Sequence, residues 1–325
     1  MNESLAEIIR PLAGLAALAA FVGGIAVWRF ALRRKLRGVA AVAFEPRRPV
    51  PWTGWDVLVL LAAYVLLVSL ALVSAESLLG WDLNPSRVGA AETPPGEGPE
   101  RAAAGYESIE LDRAHPIVVL LARRPGLGTF LFCLATVVVM TPIAEEFFFR
   151  LVLQGWFERI ELRFRRLFRY SGRMLGTGPV FLSSLLFAVL HARDVEAPPE
   201  ADYLVRMLLI DTLVKGLLLV FGVVYLRRVR GATLEDLGLK LDKLPHDAGL
   251  AVASFAALFV PLYAIQWGLS ELLPGSVTDP APLFLFALAL GYLYFRTHRI
   301  VPAVLLHMIF NAAALVVFFA TVAPK

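Results

Sequence analysis

Residues 129–157 read TFLFCLATVVVMTPIAEEFFFRLVLQGWF, and the fold turns on them. An apolar run leads through Pro142 to two adjacent glutamates, Glu145 and Glu146. It resumes through three phenylalanines, Arg150 and a second apolar stretch. The pattern is continuous rather than alternating, and it is longer than a strand, so it predicts a helix. About 20 apolar residues cross a bilayer core of about 30 Å. An ionisable side chain at that depth costs about 2.5–3.5 kcal/mol on insertion scales. Glu145, Glu146 and Arg150 therefore need partners and a purpose.

The rest of the chain repeats the apolar theme. Of 325 residues 58% are hydrophobic and the mean hydropathy is +0.69, above the roughly 45–50% of soluble domains. Only helices or closed barrels satisfy the backbone within lipid. The expected fold is all-α, a polytopic bundle of about eight transmembrane helices, near 11–32, 55–80, 129–157, 178–193, 203–226, 248–273, 281–296 and 301–322. Pro116–Ala122 is too short to span, so it lies at the interface or packs on the bundle. The single cysteine, Cys133, excludes an internal disulfide and reads as a small core residue.

Charge sets the orientation. With the N-terminus outside, the inner connections 29–54, 158–177, 227–247 and 296–300 hold 20 Lys and Arg, and the outer segments hold 9. That split follows the positive-inside rule. The positive cluster after the first span suits an uncleaved anchor, since a signal peptide carries its charge first. The expected location is a bacterial inner membrane. The outer loop 81–128, with Glu92, Pro94, Pro95, Gly96 and Glu97, reads as solvated and flexible. The inner run Arg163, Arg165, Arg166 and Arg169 is placed to meet anionic headgroups.

Three helices carry polar residues at depth. Glu146 and Arg150 are four apart and meet on one helical face, while Glu145 is rotated about 100° from Glu146. His307 and Asn311 stack in the last span. In the fourth, Phe187 precedes His191 by four, and Ser184 lies seven before it. Together these helices can gather a carboxylate, two imidazoles and an amide. The bland reading is packing glue, at about 0.6 kcal/mol per bond. Asp211 and Lys215, four apart in the fifth span, read as a neutralised bridge, although such a pair also raises the idea of a transporter. No HExxH or CxxC pattern occurs and no nucleic-acid module is present.

The ordered motifs EExxxR at 145–150, FxxxH at 187–191 and HxxxN at 307–311 resemble the CPBP family. That family includes the CAAX prenyl endopeptidase and bacteriocin-processing and immunity proteins. The resemblance covers 129–193 and 281–322. It implies an intramembrane endopeptidase acting on a membrane-associated peptide or protein, reached from the inner face. It implies Glu145 as general base, His191 orienting the water, His307 and Asn311 as oxyanion donors, and Glu146 and Arg150 in support. Neutral His and Asn would donate without burying another charge. No cofactor is then required. The competing version places Zn²⁺ on Glu145, His191 and His307. A binding or immunity protein that keeps the pocket without catalysis is the alternative.

The implied organisation is 1–80 for two N-terminal helices, 81–128 for the outer loop, 129–193 for the first part of the core, 194–280 for an inserted or transposed helix pair, and 281–325 for the last part. The helices of 203–273 are expected outside the core. Helices lying between 129–157 and 301–322 would block the pocket.

Overall fold

A computed structural model describes residues 3–46, 48–83, 116–124, 126–168, 175–191, 201–272 and 280–322. Among them every regular element is helical. In chain order these are α1 (Glu3–Leu36), α2 (Gly54–Leu79), α3 (Pro116–Arg123), α4 (127–168), α5 (Thr177–Leu190), α6 (Ala201–Val229), α7 (Leu244–Leu272), α8 (Pro280–Thr297) and α9 (Val301–Val322). All eight expected spans are helices. Five are long and apolar enough to cross a membrane: Pro11–Leu36, Gly54–Leu79, Leu127–Leu167, Ala201–Val229 and Leu241–Leu272. The stretch Thr177–Leu190 is apolar but shorter, and α8 is an 18-residue helix. The acidic, Pro-rich loop and Arg169 lie outside the described residues.

The short helix α3 packs on the bundle. Val119, Leu120 and Leu121 are buried in a cluster with Cys133, Leu204 and Leu315, so α3 holds the start of α4 to α6 and α9. Close approach elsewhere depends on small residues, as is usual where lipid supplies no hydrophobic drive between helices. A Cβ at Gly24 of α1 would meet the Ala256 carbonyl of α7 at 2.5 Å, and one at Gly222 of α6 would meet the Phe147 ring of α4 at 2.8 Å.

Basic residues collect at one end. The last turns of α1, α4, α6 and α8 carry Arg33, Arg34 and Lys35; Arg165 and Arg166; Arg227 and Arg228; and Arg296. The connections at that end are tied together. Arg48 binds Asp236 through both carboxylate oxygens, at 2.9 and 2.6 Å. Arg159 donates to the carbonyls of Val50 and Trp52, and Arg165 pairs with Glu161 at 2.9 Å. Arg299 is fully buried and bridges Glu45 to Asp247. Asp236 lies outside the spans. Burial pushes its carboxyl up, but the bonds from Arg48 and Thr233 outweigh this and hold it below its usual range.

The helix α4 is irregular in a consistent way. Its α-helical turns at Leu127–Cys133, Thr141–Glu146 and Gly155–Phe168 alternate with π-helical turns at Leu134–Met140 and Phe147–Gln154. Pro142 explains the first. It has no N–H to give, and the widened register leaves Val137 as the carbonyl it would have served, one residue on from the Thr141 N–H to Thr136 bond.

Candidate active site

Glu145 and Glu146 part company as their rotation about α4 predicts. Glu146 is fully buried. Its Oε2 accepts from Arg150 Nε at 3.1 Å and its Oε1 lies 3.0 Å from His307 Nδ1. Glu145 instead faces a cavity of about 540 Å³ that His191, His307, Asn311 and Lys215 also line. Its Oε1 is 3.5 Å from His191 Nε2 and its Oε2 is 3.9 Å from His307 Nε2. Three helices distant in sequence thus bring the four expected residues to one wall.

The tautomers follow from the partners. His191 Nδ1 lies 2.7 Å from the Phe187 carbonyl. A carbonyl only accepts, so Nδ1 carries the hydrogen and a neutral ring turns a bare Nε2 toward Glu145. The Phe187 ring stacks on His191 with centroids 4.2 Å apart, which is the use of the FxxxH spacing: one residue supplies the acceptor and the stacking face. At His307 the partner is Glu146, itself paired with buried Arg150. The hydrogen is again on Nδ1, so neutral His307 has only a lone pair to offer the cavity. The expectation of a neutral His307 donor fails on this geometry.

Asn311 has one hydrogen engaged. Its Nδ2 donates to the Val137 carbonyl at 2.8 Å, the acceptor left over by Pro142. This ties α9 to α4 beside Glu145 and leaves the second Nδ2 hydrogen available. A double-mutant cycle tests the pairing. Asn311→Ala is expected to destabilise by about 1–3 kcal/mol through an unsatisfied carbonyl. In a Pro142→Ala background, where the backbone regains its donor, the loss shrinks, with a coupling of about 0.5–3 kcal/mol. Equal losses in both backgrounds would sink it.

Two features escaped the sequence. The first is that Glu146–Arg150 begins a longer ladder. Gln154 and Glu158 continue the spacing of four, and all four residues are buried. Gln154 Nε2 donates to Glu158 and to the Gly291 carbonyl, Ser183 donates to Gln154 Oε1, and Arg150 Nη1 donates to Ser183. Residues four apart drift by about 40° on an α-helix, and the wider π turns drift the other way, so the alternation keeps the ladder in line. Ser183, not Ser184, serves it. Ser184 Oγ is buried with no partner among the described residues and does not reach the cavity. The second feature is Lys215. Besides Asp211, at 2.7 Å, it donates to Thr141 Oγ1 at 3.0 Å and stands 4.0 Å from Glu145 Oε1. The bridge faces the cavity.

The helices α6 and α7 form walls, not a plug. Leu208, Asp211 and Lys215 of α6 and Leu262, Tyr263 and Gln266 of α7 line the cavity, while α9 packs directly on α4. The zinc set fits poorly. Among the described residues no group of three or more His, Cys, Asp or Glu side chains is arranged to hold a metal ion, and the two imidazoles approach different oxygens of Glu145.

A helical membrane bundle that brings a half-buried carboxylate and two imidazoles to one cavity wall fits an intramembrane hydrolase. The chain belongs to the family of type II CAAX prenyl endopeptidases, Rce1-like, whose profile matches residues 127–313. No curated protein and no solved structure matches it.

Proposed function

We propose that the chain hydrolyses a peptide bond of a membrane-associated substrate with a water activated by Glu145 and His191, and with no step through a metal. The observation that carries this reading is the 3.5 Å gap between Glu145 Oε1 and His191 Nε2, with the His191 tautomer set by Phe187. A water about 2.6–3.2 Å from both atoms donates one hydrogen to each, which leaves its lone pair directed at the cavity. As it attacks the scissile carbonyl, Glu145 takes its proton. The second Nδ2 hydrogen of Asn311 faces the developing oxyanion, with His307 beside it on the cavity wall. The tetrahedral intermediate then collapses, the C–N bond breaks, and the proton on Glu145 passes to the leaving amine. Lys215 stands against the charge of Glu145, and Arg150 against that of Glu146.

The test is direct. Purified protein in lipid is incubated with a pool of apolar peptides and the products are read by mass spectrometry. Cleavage that survives a chelator, in protein with no detectable metal, supports the glutamate route. Cleavage lost on chelation and restored by Zn²⁺ overturns it, and an inert wild-type chain favours the binding or immunity role.

A further inference from the structure

A lysine shares the cavity with the proposed base. Thr141 and Glu145 are four apart on α4, and Asp211 and Lys215 are four apart on α6, so each pair shares a helical face. The two helices pack on each other at this level, and Lys215 crosses between them. Its Nζ pairs with Asp211 at 2.7 Å, donates to Thr141 Oγ1 at 3.0 Å and lies 4.0 Å from Glu145 Oε1. The ammonium is thus anchored at two points, one on its own helix and one a turn before Glu145.

Packing alone would need less. A charged side chain at depth is expensive and calls for a partner, and Asp211 already supplies one. The bridge nevertheless turns into the cavity that Glu145 faces, and among the described residues lining it Lys215 is the only lysine or arginine. Arg150 is paired with Glu146. With the hydrogen on Nδ1 of both His191 and His307, the neutral rings turn lone pairs toward Glu145 and bring no positive charge. The side chains of Lys215 and Glu145 are 17% and 16% exposed, so solvent screens the pair little.

Distance decides what this cation can do. At 4.0 Å its charge reaches the carboxylate, but a hydrogen bond needs about 2.7–3.2 Å. A direct bond would occupy Oε1, the oxygen nearest His191 Nε2, and would have to break before that oxygen could take a proton from water. Resting on the hydrolytic reading above, we propose that Lys215 is a positioning residue for the reaction: Asp211 and Thr141 restrain an ammonium that offsets the charge of Glu145 and leaves Oε1 free for the attacking water. The helix α6, from the stretch expected to lie outside the core, therefore belongs to the working site.

Steady-state kinetics on the chain in lipid test this, with a peptide that the wild type cleaves. Lys215→Met is expected to lower kcat by about 10–100-fold, the scale on which an opposite charge at this range acts on a carboxylate, with KM little changed. Lys215→Arg, which keeps the charge, retains most of the turnover. A bridge that only packs would behave differently. Lys215→Met/Asp211→Asn removes both of its ends, so the unfolding midpoint and the turnover would then recover together. The expected result is that the midpoint recovers and kcat stays well below the wild type, because the cation is still missing. The double variant also carries the test if Lys215→Met alone fails to fold. Wild-type kcat in the double variant overturns the proposal, as does a loss confined to KM or a Lys215→Arg variant as slow as Lys215→Met. A wild-type chain that cleaves no peptide removes the protease reading and this role with it. An active wild type with an unaffected Lys215→Met removes this role alone.

Discussion

Glu145→Gln lowers peptide hydrolysis by about 10²–10⁴-fold, the range expected for loss of a positioned general base, and leaves the thermal stability near that of the wild type. The two halves of this expectation come from different neighbours. Gln keeps the size and one oxygen of the carboxylate but cannot take a proton from water held against His191 Nε2. Folding should not depend strongly on the charge, because Glu145 faces a cavity and its nearest basic partners are 3.5–4.0 Å away. Turnover and unfolding midpoint measured on the same preparation decide the matter. Residual turnover within tenfold of wild type would remove Glu145 as the base. Loss of activity together with loss of fold would return it to a packing role.

Arg150→Met has the opposite signature: a large loss of stability, of about 3–5 kcal/mol, because one partner of a buried ion pair is removed and the other is left charged. Arg150 is fully buried and holds Glu146, Ser183 and, through the guanidinium 5.4 Å from its centroid, the Phe187 ring. Methionine fills much of the volume but none of those roles. Glu146, stripped of the guanidinium that fixes its Oε2, would no longer hold His307 in place, so activity falls as a consequence. The double variant Glu146→Gln/Arg150→Met removes both charges and should recover part of the loss. Reversible unfolding in mixed micelles measures both. A single-variant loss below about 1 kcal/mol would show that the pair is not charged in the folded protein.

Much of the architecture could be read before any coordinates. Hydropathy placed a helix at every expected span, five of them long and apolar enough to cross a membrane, because lipid permits little else. The spacing of four placed Glu146 against Arg150, and the rotation between neighbours sent Glu145 elsewhere. Two of the misses share a cause, the assumption of a regular 3.6-residue wheel. On that wheel Gln154 and Glu158 drift away from Arg150, so the ladder was not followed beyond its first pair, although the repeat at 146, 150, 154 and 158 was there to be counted. The same assumption hid the stranded Val137 carbonyl, and with it the structural half of what Asn311 does. Ser183 and Ser184 differ by one position on an apolar helix, and only the neighbour decides between them. Lys215 and Asp211 were visible as a pair, but which way a bridge faces depends on helix packing, which hydropathy does not encode.

The fully buried Arg299, held between Glu45 and Asp247, bears on biogenesis. Its two carboxylate partners leave the ribosome about 50 and 250 residues earlier, and Asp247 ends fully buried. Until the α8–α9 connection arrives, Asp247 and Glu45 await a cation that the nascent chain has not yet supplied. Insertion of the early helices can therefore proceed one by one, but closure of the knot at the basic end waits for the last 30 or so residues. A chain cut short before Arg299 would sit in the bilayer as an open assembly carrying an unpaired acid, the kind of defect on which membrane quality control acts.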